Sequence, residues 1–173
     1  MRISEFLFQR GRLISLYGLA GTGKTNIALQ ALIEFGRGIF ISTEGSAYEA
    51  RLEKLKGLHN ALFTNVNSIL ELIASIIKAS SSDLIIIDSI NSFYRLSRRK
   101  KDIEYPLILL KSFSENGGKV LLIWQMSWNN KVSGERFMRK FSDDILRVSK
   151  GEIIGNLRVC KFKITERGVL GCL

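Results

Sequence analysis

Residues 18–25 read Gly-Leu-Ala-Gly-Thr-Gly-Lys-Thr, between an apolar run at Leu13–Tyr17 and an amphipathic stretch at Asn26–Phe35. This is the complete G-x-x-x-x-G-K-[ST] pattern of a phosphate loop, in the strand, loop and helix order that it requires. The glycines let backbone N–H groups turn toward phosphates, and the following helix directs the positive end of its dipole at the same anion. A glycine-rich turn that merely resembles such a loop is the alternative. The context favours a nucleoside triphosphate site.

Two side chains of this loop carry the expected chemistry. Lys24 adds a positive charge at the β/γ end of a triphosphate, and the hydroxyl of Thr25 can ligate Mg²⁺. The residues expected to bind the nucleotide are Gly18, Leu19, Ala20, Gly21, Thr22, Gly23, Lys24, Thr25 and Asn26.

Length and composition suit one domain. With 173 residues, of which 46% are hydrophobic, the chain can bury one core, and no shift in composition marks a second. No apolar run reaches the roughly 18 residues of a membrane span and the N-terminus lacks an apolar signal core, so we expect a cytoplasmic protein without membrane contact. Cys160 and Cys172 match no metal-binding spacing. Whether they pair is open, and ordinary buried thiols are the favoured interpretation. With His59 as the single histidine, metal ligation by these side chains is not expected.

The net charge of +10 is concentrated in two short segments. Residues 95–101 carry five positive charges, and residues 131–140 carry four against the single negative charge of Glu135. Such clustering is typical of a surface that binds a polyanion, whereas a solubility effect would spread the charge. A pair of solvated polar loops is the alternative.

Hydrophobic periodicity predicts alternating strands and helices. After Phe141 the pattern changes to strands alone, with a turn at Glu166–Gly168, so we expect a mostly parallel α/β sheet flanked by helices with an antiparallel C-terminal extension. The predicted strands are Leu13–Tyr17, Gly38–Ser42, Leu84–Ile87, Lys119–Trp124, Asp144–Val148, Leu157–Ile164 and Val169–Cys172. The predicted helices are Lys24–Phe35, one that Asn67 or Ser68 caps, and about Glu104–Glu115 with Pro106 in its first turn. In the second of these, apolar residues recur at the helical spacing i, i+3, i+4: Ile69, Leu72, Ile73, Ile76 and Ile77.

Three polar residues follow predicted strands, at the edge where such sheets bind ligands. Asp88 is expected to hold Mg²⁺ beside Thr25, with a helix cap or turn as the alternative. Glu44 could accept a proton from the water that attacks the γ-phosphate, and a surface turn is its alternative. Gln125 could contact the γ-phosphate and report its presence to the basic segment that follows.

These residues, in this order, resemble the ATPase core of the RecA/RadA recombinases, and particularly the short archaeal RadA paralogues of the RadB/RadC type. The resemblance extends from Leu13 to Gly171, and its motifs are Gly18–Thr25, Phe40–Gly45, Ile85–Ser92 and Ile123–Gln125. It implies ATP and Mg²⁺ as ligands and Lys24, Glu44 and Gln125 as catalytic residues. Within that set, Glu44 would activate water and Gln125 would couple the γ-phosphate to DNA, while Asp88 and Thr25 would serve the metal.

The resemblance also assigns DNA binding to the two basic segments, about Asn91–Asp102 and Ser127–Lys140. Their aromatic residues could stack on bases or pack in the core, and the sequence leaves both open. These aromatics are Phe93, Tyr94, Trp128 and Phe137. The expected DNA-binding residues are Arg95, Arg98, Arg99, Lys100, Lys101, Lys131, Arg136, Arg139 and Lys140.

Several features depart from the full recombinases. Only about 12 residues precede the first strand, so we expect residues 1–173 to form a single ATPase domain, without a separate N-terminal DNA-binding or polymerisation domain. Ser42 replaces the acidic residue usual before Thr43, and the second basic segment is not glycine-rich. Both features argue against strand exchange. If a neighbouring subunit completes the site, Arg158, Lys161 and Lys163 are candidates to reach across.

Three functions are compatible with these features. The preferred one is a slow, DNA-stimulated ATPase that binds single-stranded DNA and assists recombinational repair, with a RadA-type recombinase or a second copy as protein partner. The second is an accessory module that ATP switches with negligible turnover. The third is a KaiC-like regulatory ATPase that acts on proteins, which a DNA-binding titration would distinguish from the first.

Overall fold

A computed structural model describes residues 1–172, and within them the chain forms nine strands and seven α-helices. The strands are β1 (Leu13–Gly18), β2 (Arg37–Ser42), β3 (Asn60–Asn65), β4 (Leu84–Asp88), β5 (Lys119–Gln125), β6 (Asp144–Ser149), β7 (Glu152–Gly155), β8 (Arg158–Thr165) and β9 (Gly168–Gly171). The helices are α1 (Ile3–Leu7), α2 (Lys24–Phe35), α3 (Glu49–Leu52), α4 (Ile69–Lys78), α5 (Ser92–Ser97), α6 (Lys101–Glu115) and α7 (Glu135–Phe141). No helix in this range is long and apolar enough to cross a bilayer.

The strands form one sheet in the order β3-β2-β4-β5-β1-β6-β7-β8-β9. The first six strands in this order are paired in parallel, and the last three continue the sheet antiparallel. The predicted α/β sheet with an antiparallel C-terminal extension is therefore confirmed.

Both faces of the sheet are covered, as the unbroken apolar run of β4 predicts. Leu84 and Ile86 belong to a core shared with α1 and α2, whereas Ile85 and Ile87 belong to a core shared with α4, α6 and α7. Successive residues of a strand point to opposite faces, so a strand buried on both sides has no polar alternation. In such a strand, polar side chains therefore appear only where the strand ends, at the edge of the sheet.

Ser68, one of the two predicted caps, is the N-cap residue of helix α4. The Ser68 hydroxyl accepts a hydrogen bond from the Glu71 backbone N–H at 3.2 Å, and the Glu71 carboxylate accepts one from the Asn67 N–H at 2.6 Å. This pair satisfies two N–H groups that the first helical turn would otherwise leave without partners. Of the apolar residues that recur along this helix, Leu72 and Ile76 are buried, whereas Ile77 is exposed.

The sequence patterns misplaced or missed other elements. Helix α6 begins three residues earlier than predicted, so Pro106 lies inside the helix and has no N–H to donate to the Asp102 carbonyl. The two basic segments, expected as loops, contain helices α5 and α7. Strands β3 and β7 were not predicted either.

The expectation of ordinary buried thiols is wrong, because Cys160 and Cys172 form a disulfide. Their Cα atoms lie 4.5 Å apart, and the bond joins β8 to the residue that follows β9. Cys160 itself is buried. The disulfide therefore cross-links the two sides of the β8–β9 hairpin at the outer edge of the sheet.

Candidate functional site

The phosphate loop connects β1 to α2 as the sequence predicts. Gly23 precedes the helix with a φ of +99°, a left-handed conformation that side chains with a Cβ rarely adopt. A Cβ at Gly18 would collide with the Val148 carbonyl of β6, so only glycine fits there. The loop is closed by hydrogen bonds from the Thr22 N–H and hydroxyl to the Leu19 carbonyl.

The Lys24 side chain lies under this loop. Its ammonium group donates hydrogen bonds of 2.7 Å to the carbonyls of both Gly18 and Leu19. Burial lowers the pKa of Lys24, and the nearby Asp88 carboxylate opposes that change. The charge is thus held within the loop, next to the position where the helix N-terminus favours an anion.

Asp88 lies at the end of β4, directly beside the loop. Its carboxylate accepts a 2.6 Å hydrogen bond from the Thr25 hydroxyl, and its side chain is buried. Burial raises the pKa of Asp88, while the hydrogen bond from Thr25 lowers it. One carboxylate and one hydroxyl within 3 Å fit Mg²⁺, which takes few protein ligands and completes its octahedron with water and phosphate oxygens.

Glu44 follows β2, and two serines arrange it. The buried Ser89 hydroxyl donates a 2.7 Å hydrogen bond to the Glu44 carboxylate. The Ser42 hydroxyl donates to the Gly45 carbonyl and accepts from the Glu44 N–H, which shapes the turn. Ser42 stands where the recombinases usually have an acidic residue. Its hydroxyl has hydrogen-bond partners within this turn.

Thr43 fixes this turn to the neighbouring strand end. Its hydroxyl accepts a hydrogen bond from the Ser89 N–H and donates one to the Ser89 carbonyl, while its own N–H donates to the Asp88 carbonyl. The peptide bond between Asp88 and Ser89 is cis. These bonds hold the ends of β2 and β4, and with them both carboxylates, in one rigid unit.

Gln125 ends β5, next to the start of the phosphate loop, since Gly18 pairs with it in the sheet. It lines a pocket of about 160 Å³ together with Ala20, Gly21, Gly23, Lys24, Thr25, Asn26, Arg51 and Asp88. It also lines a second pocket, of about 460 Å³, together with Arg95, Arg98, Ser127, Asn129, Lys131, Val132, Ser133 and Gly134. We call these the phosphate pocket and the basic pocket. Gln125 is the residue common to both.

The nine predicted DNA-binding cations are all exposed, but they differ in their partners. Arg99 is paired with Asp102, Lys100 and Lys140 approach Glu104, and Arg139 is paired with Glu135. Arg136 packs on the ring of Phe137. Three others, Arg95, Arg98 and Lys131, line the basic pocket, and within residues 1–172 no acidic side chain lines it with them.

The aromatic residues of the basic segments divide in the same way. Phe137 is buried and contacts Tyr94 edge to face, and Phe93 and Tyr94 pack against the same core. Trp128, in the loop between β5 and α7, is 93% exposed. Of these four residues, Trp128 is the one whose ring is open to solvent.

Arg158 is not available to reach into a neighbouring subunit. Its guanidinium is buried, is paired with Asp144 and donates to the Phe6 carbonyl. Lys161 and Lys163 are exposed on β8. Only these two of the three candidates remain free for an intermolecular role.

Arg51 is a functional candidate that the sequence patterns missed. It lines the phosphate pocket and also a larger pocket, of about 570 Å³, between α3 and the β8–β9 turn. That larger pocket joins apolar side chains, Leu55 and Ile164, to the cations Arg51 and Lys54. Helix α3 is a single turn with no periodicity to detect, so only the structure brings Arg51 to the loop.

No protein-family model matches the chain. The DNA repair and recombination protein RadB of Methanocaldococcus jannaschii is 29% identical over 201 aligned positions, which cover 93% of each chain. RecA proteins from a Picosynechococcus strain and from Mycoplasma mobile are each 35% identical over 91 residues. That segment covers 48% of this chain but only 26% and 28% of those two RecA proteins.

Two solved structures have the same fold. A crystal structure of the RadB recombinase superposes with a TM-score of 0.73 at 21% identity, covering 95% of this chain and 94% of the other. A KaiC-like protein from Pyrococcus horikoshii OT3 superposes with a TM-score of 0.70 at 18% identity, covering 96% and 94%. At these identities the superpositions establish the architecture alone. The sequence match over nearly the whole of both chains makes this chain similar to RadB, and the shorter matches to RecA add a likeness to the core of the RecA/RadA recombinases.

Proposed function

We propose that this protein is a slow ATPase that single-stranded DNA stimulates and that assists recombinational DNA repair, with a RadA-type recombinase or a second copy as its protein partner. The observation that carries the proposal is the position of Gln125, which lines both the phosphate pocket and the basic pocket. One side chain can thus contact the nucleotide on one side and the nucleic-acid surface on the other. The similarity to a DNA repair and recombination protein supports the same assignment.

In this function, the loop amides, the helix N-terminus and Lys24 bind the β- and γ-phosphates of ATP. Thr25 and Asp88 would hold Mg²⁺, which neutralises phosphate charge when bound. Arg51 would face the phosphates from the opposite wall, and the base would enter the larger pocket beside it. Leu55 and Ile164 supply the apolar contact there.

Glu44 is the proposed base for hydrolysis. It accepts a proton from water as the water oxygen bonds to the γ-phosphorus and the bond to the bridging oxygen breaks, which yields ADP and phosphate. The hydrogen bond from Ser89 orients the carboxylate for this transfer. Because Ser89 is fixed to Thr43 and follows Asp88, base and metal site keep a constant separation.

For DNA, the three cations that line the basic pocket are the proposed phosphate contacts: Arg95, Arg98 and Lys131. Lys101 and Arg136, which are exposed but do not line this pocket, are further candidates. Arg99, Lys100, Arg139 and Lys140 already have acidic neighbours, so their charge is partly compensated within the chain. Trp128 is the proposed stacking residue.

The decisive measurement is phosphate release with and without single-stranded DNA. We expect hydrolysis in the wild type that oligothymidylate increases, no tight ATP binding in Lys24→Ala, and ATP binding without hydrolysis in Glu44→Gln. Wild-type turnover in Glu44→Gln would exclude Glu44 as the base. Negligible turnover in the wild type, with normal ATP binding, would favour the accessory module.

A KaiC-like regulatory ATPase is the second candidate. The likeness of fold to a KaiC-like protein and the internal compensation of four of the nine candidate cations favour it. It predicts hydrolysis that DNA does not change. An anisotropy titration with labelled oligothymidylate distinguishes the two, because only the DNA-stimulated ATPase requires binding that weakens steeply with salt.

A further inference from the structure

Asn91 is fully buried and lies just before α5, where an asparagine would ordinarily cap the helix. Its side chain makes no capping bond. Instead, its Oδ1 accepts a hydrogen bond from the Gln125 N–H at 3.0 Å, and its Nδ2 donates to the carbonyls of Gln125 and Ser133, each at 3.1 Å. All three bonds go to the neighbouring segment. Since the Gln125 N–H can only donate, the orientation of the amide is fixed.

The two residues to which the Asn91 side chain bonds are Gln125 and Ser133. They flank residues 126–132, a loop at the start of the second basic segment. Met126 and Val132 pair as an antiparallel bridge at the base of this loop, and the Ser127 N–H donates to the Lys131 carbonyl inside it. Gln125 precedes the bridge and Ser133 follows it. The buried Asn91 side chain therefore hydrogen-bonds to both ends of this loop, one residue outside the bridge between Met126 and Val132.

Asn91 is also connected to both arginines of the basic pocket. Its carbonyl accepts the Arg95 backbone N–H at 2.9 Å, in the first turn of α5. On the other side, the hydroxyl of Ser133 accepts a 2.8 Å hydrogen bond from the Arg98 guanidinium. Asn91 thus touches the residue that faces the nucleotide, Gln125, and it anchors the segments that carry Arg95, Arg98 and Lys131.

We propose that Asn91 is the positioning residue that couples the phosphate pocket to the basic pocket. This inference rests on the proposed function and deepens it. A shift of Gln125 toward a γ-phosphate moves both backbone groups that Asn91 holds, and the same amide passes the shift to Ser133. Arg98 follows through its bond to the Ser133 hydroxyl. Asn91 itself contacts neither ligand.

The test measures a coupling factor, which is the ratio of the dissociation constants of fluorescein-labelled oligothymidylate without and with ATP. A Glu44→Gln background keeps ATP intact during the titration. Linkage requires the same factor for ATP affinity without and with DNA, so each variant is measured from both sides. We expect a factor of about 5 to 150 with Asn91 present and a factor near 1 in Asn91→Ala. Each separate affinity should change by less than about threefold, because Asn91 lines neither pocket.

Two further variants make the result specific. Ser133→Ala removes only the link to Arg98 at the outer end of this chain of bonds and leaves the buried amide in place, so it should reduce the factor even if Asn91→Ala folds poorly. Asn116→Ala is the matched control, because the Asn116 amide also donates to a main-chain carbonyl but lines neither pocket. It should keep the full factor.

The outcomes separate this inference from the proposed function. A factor near 1 with Asn91 and Ser133 both intact would overturn the proposed function and the inference together. A full factor in folded Asn91→Ala, or in Ser133→Ala if Asn91→Ala does not fold, would overturn the inference alone. A purely structural role predicts loss of both affinities with the ratio unchanged, which would also overturn it. In the double variant Asn91→Ala, Gln125→Ala, the loss of coupling should be no greater than in either single variant.

Discussion

At the scale of single residues, the arrangement around Glu44 separates the charge of the base from its orientation. The carboxylate is exposed and, in the proposed mechanism, would accept the proton, whereas the buried Ser89 hydroxyl orients it through a 2.7 Å hydrogen bond. A base that rotates freely spends little time in line with an attacking water. The serine therefore limits the orientations of Glu44 without contacting the reacting atoms.

We expect Ser89→Ala to lower kcat by about tenfold, equivalent to about 1.4 kcal/mol of activation free energy, with KM for ATP little changed. Phosphate-release kinetics measure both. Ser114→Ala is a matched control, because Ser114 is also buried and its hydroxyl donates to the Lys111 carbonyl, away from the site. Equal kcat in Ser89→Ala and wild type would show that Glu44 needs no such support.

The sequence predicted the site residues that follow strands but not those that orient them. The positions of the phosphate loop, Asp88, Glu44 and Gln125 at one edge follow from the rule that parallel strands end together. Ser89 and Asn91 hydrogen-bond to residues that are distant in the sequence, and Arg51 lines the phosphate pocket from a helix of one turn. No local pattern encodes those partners, and they appear only once the strands are in register.

At the scale of secondary-structure elements, Asp143, the residue before β6, connects that strand to β1 and to α6. Its carboxylate accepts hydrogen bonds from the backbone N–H groups of Arg12 and Leu13 at the start of β1, and from Lys111 of α6 at 2.7 Å. Partial burial would raise the pKa of Asp143, but the bonds from Lys111, Leu13 and Arg12 outweigh it and lower the pKa. The ionised form is therefore favoured in the folded protein.

This shift predicts an acid-dependent loss of stability. A lowered pKa contributes stability above the unfolded value, near 3.9, and the contribution disappears as the pH falls through the folded value. We expect Asp143→Asn to reduce the free energy of unfolding by about 1 kcal/mol at neutral pH. Below pH 4 the difference from wild type should shrink, as urea unfolding across this range would measure. A constant difference at all pH values would contradict the ionic origin.

The disulfide is the second device at this scale. It closes a loop of 12 residues around the β8–β9 hairpin, which restricts the unfolded chain by up to about 3 kcal/mol. We expect wild-type protein under dithiothreitol and the variant Cys160→Ser, Cys172→Ser to lose the same amount of stability. The variant should not respond to the reductant. A variant as stable as the oxidised wild type would mean that packing alone holds the hairpin.

The elements that the sequence missed lack a local hydrophobic pattern, for two different reasons. β3 is the edge strand of the sheet, and its pattern is only half buried, so neither alternation nor a continuous apolar run marks it. Helices α5 and α7 are short, at six and seven residues, and mix basic with aromatic side chains, so no amphipathic pattern marks them. They are held in place by tertiary packing, through Tyr94 and Phe137, rather than by helical periodicity.

At the scale of the whole molecule, the question is whether the proposed DNA binding would depend on net charge or on its arrangement. The chain carries a net charge of +10, and any polyanion will respond to it. The structure offers two sets of three exposed cations that differ in their surroundings. Arg95, Arg98 and Lys131 line the basic pocket, whereas Lys100, Arg139 and Lys140 lie next to Glu104 or Glu135.

We therefore predict unequal effects from equal changes of charge. Replacing Arg95, Arg98 and Lys131 with glutamine should weaken oligothymidylate binding strongly and flatten the salt dependence by about 2 units, since each neutralised phosphate adds about 0.7 to the slope. Replacing Lys100, Arg139 and Lys140 with glutamine removes the same charge but should change the slope by less than about 1 unit. Anisotropy titrations over a series of salt concentrations measure both, and ATP binding should survive in each. Equal slopes in the two variants would mean that the protein attracts DNA by net charge alone, without a phosphate-binding pocket.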